Sequence, residues 1–257
     1  MGKLENQVAV VTGASRGIGL AAARLLAREG AGVVLTARGA DALESAAQQI
    51  VREGGRAVPV PGDVSRSNDA DRMIRTALDT FGRVDILVNN AGVMGTLKRV
   101  GEMDEESWDR VVGIHLKGTF LCSRAVLPSM LTAGYGRIIN IASVIGQIGH
   151  PLGSSPGEPA AADYAAAKAG IIGFTKALAF EVSRAGITAN VILPGPVLTF
   201  QQAHRTKEHL ARVADATLIG RHAQPEELAE AILFLAGPQN SYITGAVLSV
   251  DGGAWLR

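Results

Sequence analysis

Val8-Ala9-Val10-Val11-Thr12-Gly13-Ala14-Ser15-Arg16-Gly17-Ile18-Gly19 decides how the rest of the chain is read. Its first four residues are apolar without interruption, as in a strand buried on both faces. The strand runs straight into glycines at 13, 17 and 19, and a segment of helical period, Gly17–Glu29, follows. Glycine permits a tight turn and a close backbone approach, and a helix start offers unpaired N–H groups at the positive end of its dipole. Together these form a cradle for a pyrophosphate. The spacing Gly-x-x-x-Gly-x-Gly is one residue wider than the usual dinucleotide fingerprint, so its place between strand and helix carries the argument.

Outward from this stretch the same alternation repeats. Apolar runs at Val33–Thr36, Ala57–Val60, Ile86–Val88, Arg137–Ile141, Ala189–Leu193 and Ala246–Val250 alternate with helical segments at Asp41–Glu53, Asn68–Phe81, Glu105–Leu131, Tyr164–Ala185 and Pro225–Ala236. A helix between each pair of strands implies parallel crossovers. The expectation is an α/β fold: a doubly wound parallel sheet of about seven strands, of Rossmann type, in one domain over residues 1–257. The Pro/Gly/Ser-rich stretch 149–159 is too short for a linker and reads as a loop.

Composition supports a buried core. Of 257 residues 47% are apolar and 19% charged, with mean hydropathy +0.19, which excludes a disordered chain. The net charge of +1 gives no reason to expect nucleic acid or a membrane surface as partner. Cys122 stands alone, and the five histidines (115, 150, 204, 209, 222) lack metalloprotease spacing, so no disulfide and no metal site are expected. The polar start, Met1–Gln7, lacks a signal peptide's apolar stretch, and no run reaches the ~18 apolar residues of a membrane helix. The expected location is the cytoplasm.

The second strand bears on which dinucleotide is held. An NAD site usually ends this strand in an acid that bonds the ribose. Here it ends Leu35-Thr36-Ala37-Arg38, with no carboxylate before Asp41. Arg38, with Arg16, suits a 2′-phosphate, so NADP (NADPH) is preferred and NAD is possible. Surface arginines without a ligand are the plainer alternative. Asp63 is a candidate for the adenine, or else a helix cap.

Tyr164-Ala165-Ala166-Ala167-Lys168 opens a helix that is apolar or small on most sides. Residues four apart share a face, so phenol and ammonium reach one pocket, where a cation would lower the phenol's pKa. A surface pair is the competing reading, but a lysine on so apolar a helix needs a partner.

Thr12-Gly13…Gly17…Gly19, Asn89-Asn90-Ala91-Gly92, Ser143, Tyr164…Lys168 and Pro194-Gly195-Pro196-Val197-Leu198-Thr199 together resemble the short-chain dehydrogenase/reductase family, its 3-oxoacyl-[acyl-carrier-protein] reductase-like members in particular. The resemblance covers essentially the whole chain. It implies an oxidoreductase that moves hydride between a nicotinamide and a carbonyl or secondary alcohol. Tyr164 would be the acid or base, Lys168 would hold the ribose and Ser143 the substrate oxygen. Gly13, Ser15, Arg16, Gly17, Ile18 and Gly19 would hold phosphates. Asn90 would line the cleft, Asp63 and Val64 would contact adenine, and Val197 and Thr199 the carboxamide.

Two features depart from the family. His115 stands where an asparagine is usual, either to hold a water beside the lysine or as a core histidine. Ser143 and Tyr164 lie further apart than usual, the extra length being loop 149–159, expected at the substrate mouth; 200–220 is expected to be a substrate lid. Alternatives are an NAD-linked sugar or secondary-alcohol dehydrogenase, or a dinucleotide sensor without turnover. The partner would be a small-molecule carbonyl or alcohol. Apolar residues on Glu105–Leu131 (Val111, Val112, Leu116, Phe120, Leu121) and Tyr164–Ala185 (Ile171, Phe174, Leu178, Phe180), with Trp255-Leu256 at the tail, predict a homotetramer, or at least a dimer.

Overall fold

The apolar runs pair side by side into one seven-stranded sheet, and every pairing is parallel. The computed structural model describes residues 2–200 and 205–256. In chain order the strands are β1 (Val8–Thr12), β2 (Gly32–Ala37), β3 (Arg56–Pro61), β4 (Ile86–Asn89), β5 (Gly136–Ile141), β6 (Ile187–Pro194) and β7 (Val247–Val250). Their order across the sheet is β3-β2-β1-β4-β5-β6-β7. The chain therefore reverses direction between β1 and β4, and the crevice at the carboxyl ends of these two strands is where such sheets bind ligands.

Helices cover both faces. On one lie α1 (Gly17–Arg28), α2 (Ala40–Arg52) and α9 (Pro225–Ala236), packed through Leu26, Leu43 and Ile232. On the other lie α3 (Ser67–Phe81), α5 (Gly118–Ala133) and α7 (Ala162–Val182), packed through Met73, Val126 and Leu178. Sealed on both sides, the central strands carry continuous apolar runs rather than alternation. Among the described residues no helix is long and apolar enough to cross a membrane.

Three elements differ from the sequence expectation. Glu105–Leu131 is not one helix: α4 (Glu105–Val112) passes through a π-helical turn, Gly113–Lys117, into α5. The extra residue in that turn rotates His115 inward, and Gly118 lets the turn close on Val64. One-turn α6 (Ile145–Ile148) and polar α8 (Lys207–Asp215) are too short or too polar to show an apolar period. The apolar face expected on α4–α5 and α7 is largely consumed inside the chain, with Leu121, Ile171 and Leu178 buried against the sheet and Val111 buried on α4. Phe120 and Phe180 remain outside, Phe180 89% exposed.

Candidate active site

The end of β1 is strapped to the end of β4. The Thr12 hydroxyl donates to the Val88 carbonyl at 3.3 Å and accepts the N–H groups of Asn90 and Ala91, each at 2.9 Å. In return the Asn90 amide donates to the Thr12 carbonyl at 2.9 Å and that of Gly13 at 3.3 Å. Asn90 thus braces the glycine turn from behind. Gly13 takes a positive φ of 66°, and a Cβ at position 19 would collide with the Gly13 carbonyl. Arg16 occupies the cap position of α1 without bonding it, so no side chain caps the first turn.

A cleft of about 570 Å³ opens from this turn. Gly13, Ser15, Arg16, Gly17 and Ile18 line it, whereas Gly19 is buried behind them. At one end stand Arg38, Asp63 and Val64, and no carboxylate follows Ala37 there. The Arg16 guanidinium lies 4.3 Å over the Phe200 ring. Asp63 Oδ1 accepts the backbone N–H of Ser65 at 3.0 Å and its hydroxyl at 2.7 Å, which makes it a turn cap; the cap position of α3 belongs to Arg66. Burial pushes the Asp63 pKa up, but the Ser65 bonds, with the fields of Arg38 and Arg66, bring it below the usual value. Across the cleft, Val197 is fixed by a bridge to Ala223, and the Thr199 methyl lies opposite Gly17. A glycine cradle, an uncapped helix start and an end where Arg38 stands beside the turn-capping Asp63 fit a dinucleotide.

At the other end Ser143, Tyr164, Lys168 and His115 come together. Ser143, just beyond β5, accepts the Ile145 N–H at 3.2 Å and lines the cleft together with Tyr164. Lys168 is buried, and its Nζ donates to the Ile141 carbonyl at 2.7 Å, 5.4 Å from the centre of the Tyr164 ring. The expectation that Lys168 lowers the phenol is not met in the chain by itself. Burial pushes Tyr164 up to about 12, with only the nearby Ser143 hydroxyl pulling the other way, and burial brings Lys168 down to about 7. With Lys168 near 7 and Tyr164 near 12, the lysine has lost its charge well before the phenol ionises, so it offers the phenolate no cation.

His115 is buried edge-on to Tyr164, with ring centres 5.1 Å apart. Its Nε2 meets the Val93 carbonyl at 2.9 Å and the Val93 N–H at 3.1 Å, while Nδ1 is buried without a hydrogen-bond partner. Burial, then the Lys168 charge, hold its pKa down near 3, so the imidazole is neutral. It pins the Val93 segment and supports the tyrosine ring.

Asp163 escaped the sequence reading. It is fully buried; its carboxylate accepts the Thr96 N–H at 3.2 and 3.0 Å and the Tyr164 N–H at 2.7 Å. The only signal was an acid in the first turn of a helix. Just before it, Ala161 takes the left-handed conformation (φ 51°, ψ 56°) that turns the chain into α7. Asp163→Ala leaves the Thr96 N–H unpaired, so a loss of about 1–3 kcal/mol is expected. Urea unfolding checks this, and an unchanged midpoint with an unchanged slope contradicts it.

Pro151 and Leu152 of loop 149–159, and His209 and Val213 of α8, line the cleft beside Ser143. Of the expected lid, residues 201–204, with His204, lie outside the described residues.

The profile of the family described as Enoyl-(Acyl carrier protein) reductase matches residues 13–254. A 3-oxoacyl-[acyl-carrier-protein] reductase of Synechocystis sp. is 42% identical over 255 residues, 98% of each chain. Cis-4-hydroxycyclohexanecarboxylate dehydrogenase of Sinomonas cyclohexanicum is 41% identical over 249 residues, 96% of each. A subunit of (2S)-[(R)-hydroxy(phenyl)methyl]succinyl-CoA dehydrogenase from Thauera aromatica is 36% identical over 255, again 98% of each. The names of these relatives share a hydroxyl–carbonyl interconversion and differ in the molecule that carries it.

Proposed function

We propose, for a chain that belongs to the short-chain dehydrogenase/reductase family, that it is an NADPH-preferring carbonyl reductase of the 3-oxoacyl reductase kind with Tyr164 as its acid. One observation carries the reading: Ser143, Tyr164 and buried Lys168 line the same cleft as the glycine cradle, with the Lys168 Nζ 5.4 Å from the centre of the Tyr164 ring. The nicotinamide, when bound, supplies the hydride. Ser143 and Tyr164 place two O–H donors where a substrate oxygen gains negative charge, and Tyr164 then yields its proton. A phenol held up near 12 is protonated at neutral pH, which suits reduction. Oxidation needs the phenolate, so its rate should climb with pH toward that value while reduction stays level until the phenol ionises. Lys168 would hold the ribose hydroxyls, and Val197 and Thr199 the carboxamide. A sensor without turnover has no need of this cluster.

Arg16 and Arg38 support the choice of NADPH. Ala37→Asp with Arg38→Ala should shift the NADPH-to-NADH ratio of kcat/KM by roughly tenfold to a hundredfold toward NADH. A wild type that already prefers NADH contradicts the assignment.

The lone buried thiol of Cys122 fits a reducing cytoplasm. For assembly the reading is a homotetramer. Phe120, in edge contact with Phe174, and Phe180 remain on the outer face of α5 and α7 as large apolar surface. Light scattering at micromolar concentration should give a multiple of 26.7 kDa; a single 26.7 kDa species refutes assembly and leaves the chemistry untouched.

A further inference from the structure

Phe200 follows directly on Thr199 and is 56% exposed, so core packing does not account for an aromatic residue there. Its ring lies under the Arg16 guanidinium, whose central carbon is 4.3 Å from the ring centre. The two side chains come from facing walls of the cleft, Arg16 from the glycine turn after β1 and Phe200 from the chain after β6. Beside them the Thr199 methyl faces Gly17, so the walls approach each other at two adjacent points.

Arg16 stands where a cation is electrostatically misplaced. It occupies the cap position of α1, at the positive end of the helix dipole, and the first turn of α1 carries no acid. Among the described residues no carboxylate forms an ion pair with it. Repulsion from the helix end favours swinging so long a side chain out into solvent, and the ring opposes this by attracting the cation to its face. A cation held by a ring face keeps its N–H donors available to an anion. The stack therefore does not compete with a phosphate, and an arginine already ordered loses less rotamer freedom when one arrives.

We propose that Phe200 is a positioning residue for cofactor binding, its ring holding Arg16 in the cleft for a phosphate of the dinucleotide. The proposal rests on the dinucleotide reading of the cleft; its own claim is that removing the ring, with Arg16 kept, weakens the nucleotide. The phosphate is the 2′-phosphate or the pyrophosphate, and NADPH compared with NADH tells them apart.

Titration calorimetry of both nucleotides tests it on wild type, Phe200→Leu, Phe200→Tyr, Arg16→Met and the Phe200→Leu/Arg16→Met double variant. Position 200 is exposed, so the melting temperature should hold in every Phe200 variant. Phe200→Leu should raise the NADPH Kd roughly threefold to tenfold, and Phe200→Tyr, which keeps a ring, should stay within about twofold. With Arg16→Met already in place, Phe200→Leu should change the Kd by less than about twofold, because no cation remains to be held. A loss confined to NADPH assigns the 2′-phosphate; an equal loss for NADH assigns the pyrophosphate. An unchanged Kd in Phe200→Leu, a tighter one, or a loss that persists in full beside Arg16→Met overturns the proposal and leaves the dinucleotide reading intact. Wild type that binds neither nucleotide overturns both. Binding that follows the expected pattern supports the proposal whether or not a carbonyl is turned over.

Discussion

Tyr164→Phe should reduce carbonyl turnover by about a hundredfold or more while leaving cofactor affinity nearly unchanged. The substitution keeps the ring and its edge contact with His115, and removes only the hydroxyl. What is lost is the proton that neutralises the alkoxide and one of two donors to it, both of which matter most in the transition state. The fall should therefore appear in kcat more than in KM. Steady-state rates with NADPH and any accepted ketone measure it. Full activity with every carbonyl tested would remove Tyr164 from the chemistry.

Lys168→Met should abolish turnover to a similar degree and, at neutral pH, stabilise the fold. Burial lowers the Lys168 pKa from 10.5 to about 7, so between these values the unfolded chain holds a proton that the folded chain does not. Wild-type stability therefore rises with pH from about 7 to 10.5, where the folded and unfolded chains bind that proton equally. Methionine carries no such proton. Its advantage is absent above 10.5, grows as pH falls to about 7, and levels off below, on the order of a few kcal/mol. Loss of the bond to the Ile141 carbonyl, about 1–3 kcal/mol, offsets part of it. Urea unfolding across pH shows whether the gap opens toward neutral pH; a constant gap would mean that the lysine is not held desolvated.

The sheet was legible because each strand is buried on both faces and announces itself as an apolar run. The glycine turn was legible because its residues answer to backbone geometry. Tyr164 and Lys168 could be paired from helical spacing alone. What the sequence hid was non-local or inverted. Asp163 looks like any acid at a helix start, and only the fold brings the Thr96 N–H to it. His115 sits on a π turn whose extra residue leaves no mark in apolar periodicity. The field of Lys168 on Tyr164 was misjudged because spacing gives proximity but not desolvation, and burial dominates both groups. The expected interface residues Leu121, Ile171 and Leu178 are apolar for the sheet's sake, which a helix pattern does not distinguish from apolar for a partner. Arg205 and His209 belong to a polar segment whose position over the cleft is set by the packing of Arg212 on Gly153.

The central claim is hydride transfer assisted by Tyr164, and isotope transfer tests it most directly. With NADPH deuterated at its transferable position and an accepted ketone, wild type should place one deuterium on the carbinol carbon of the product. Tyr164→Phe should bind the same cofactor and transfer that deuterium at least about a hundredfold more slowly. Tight NADPH binding with no deuterium in any product, across ketones, oxo acids and 3-oxoacyl thioesters, would contradict the account and leave a dinucleotide-binding protein without turnover.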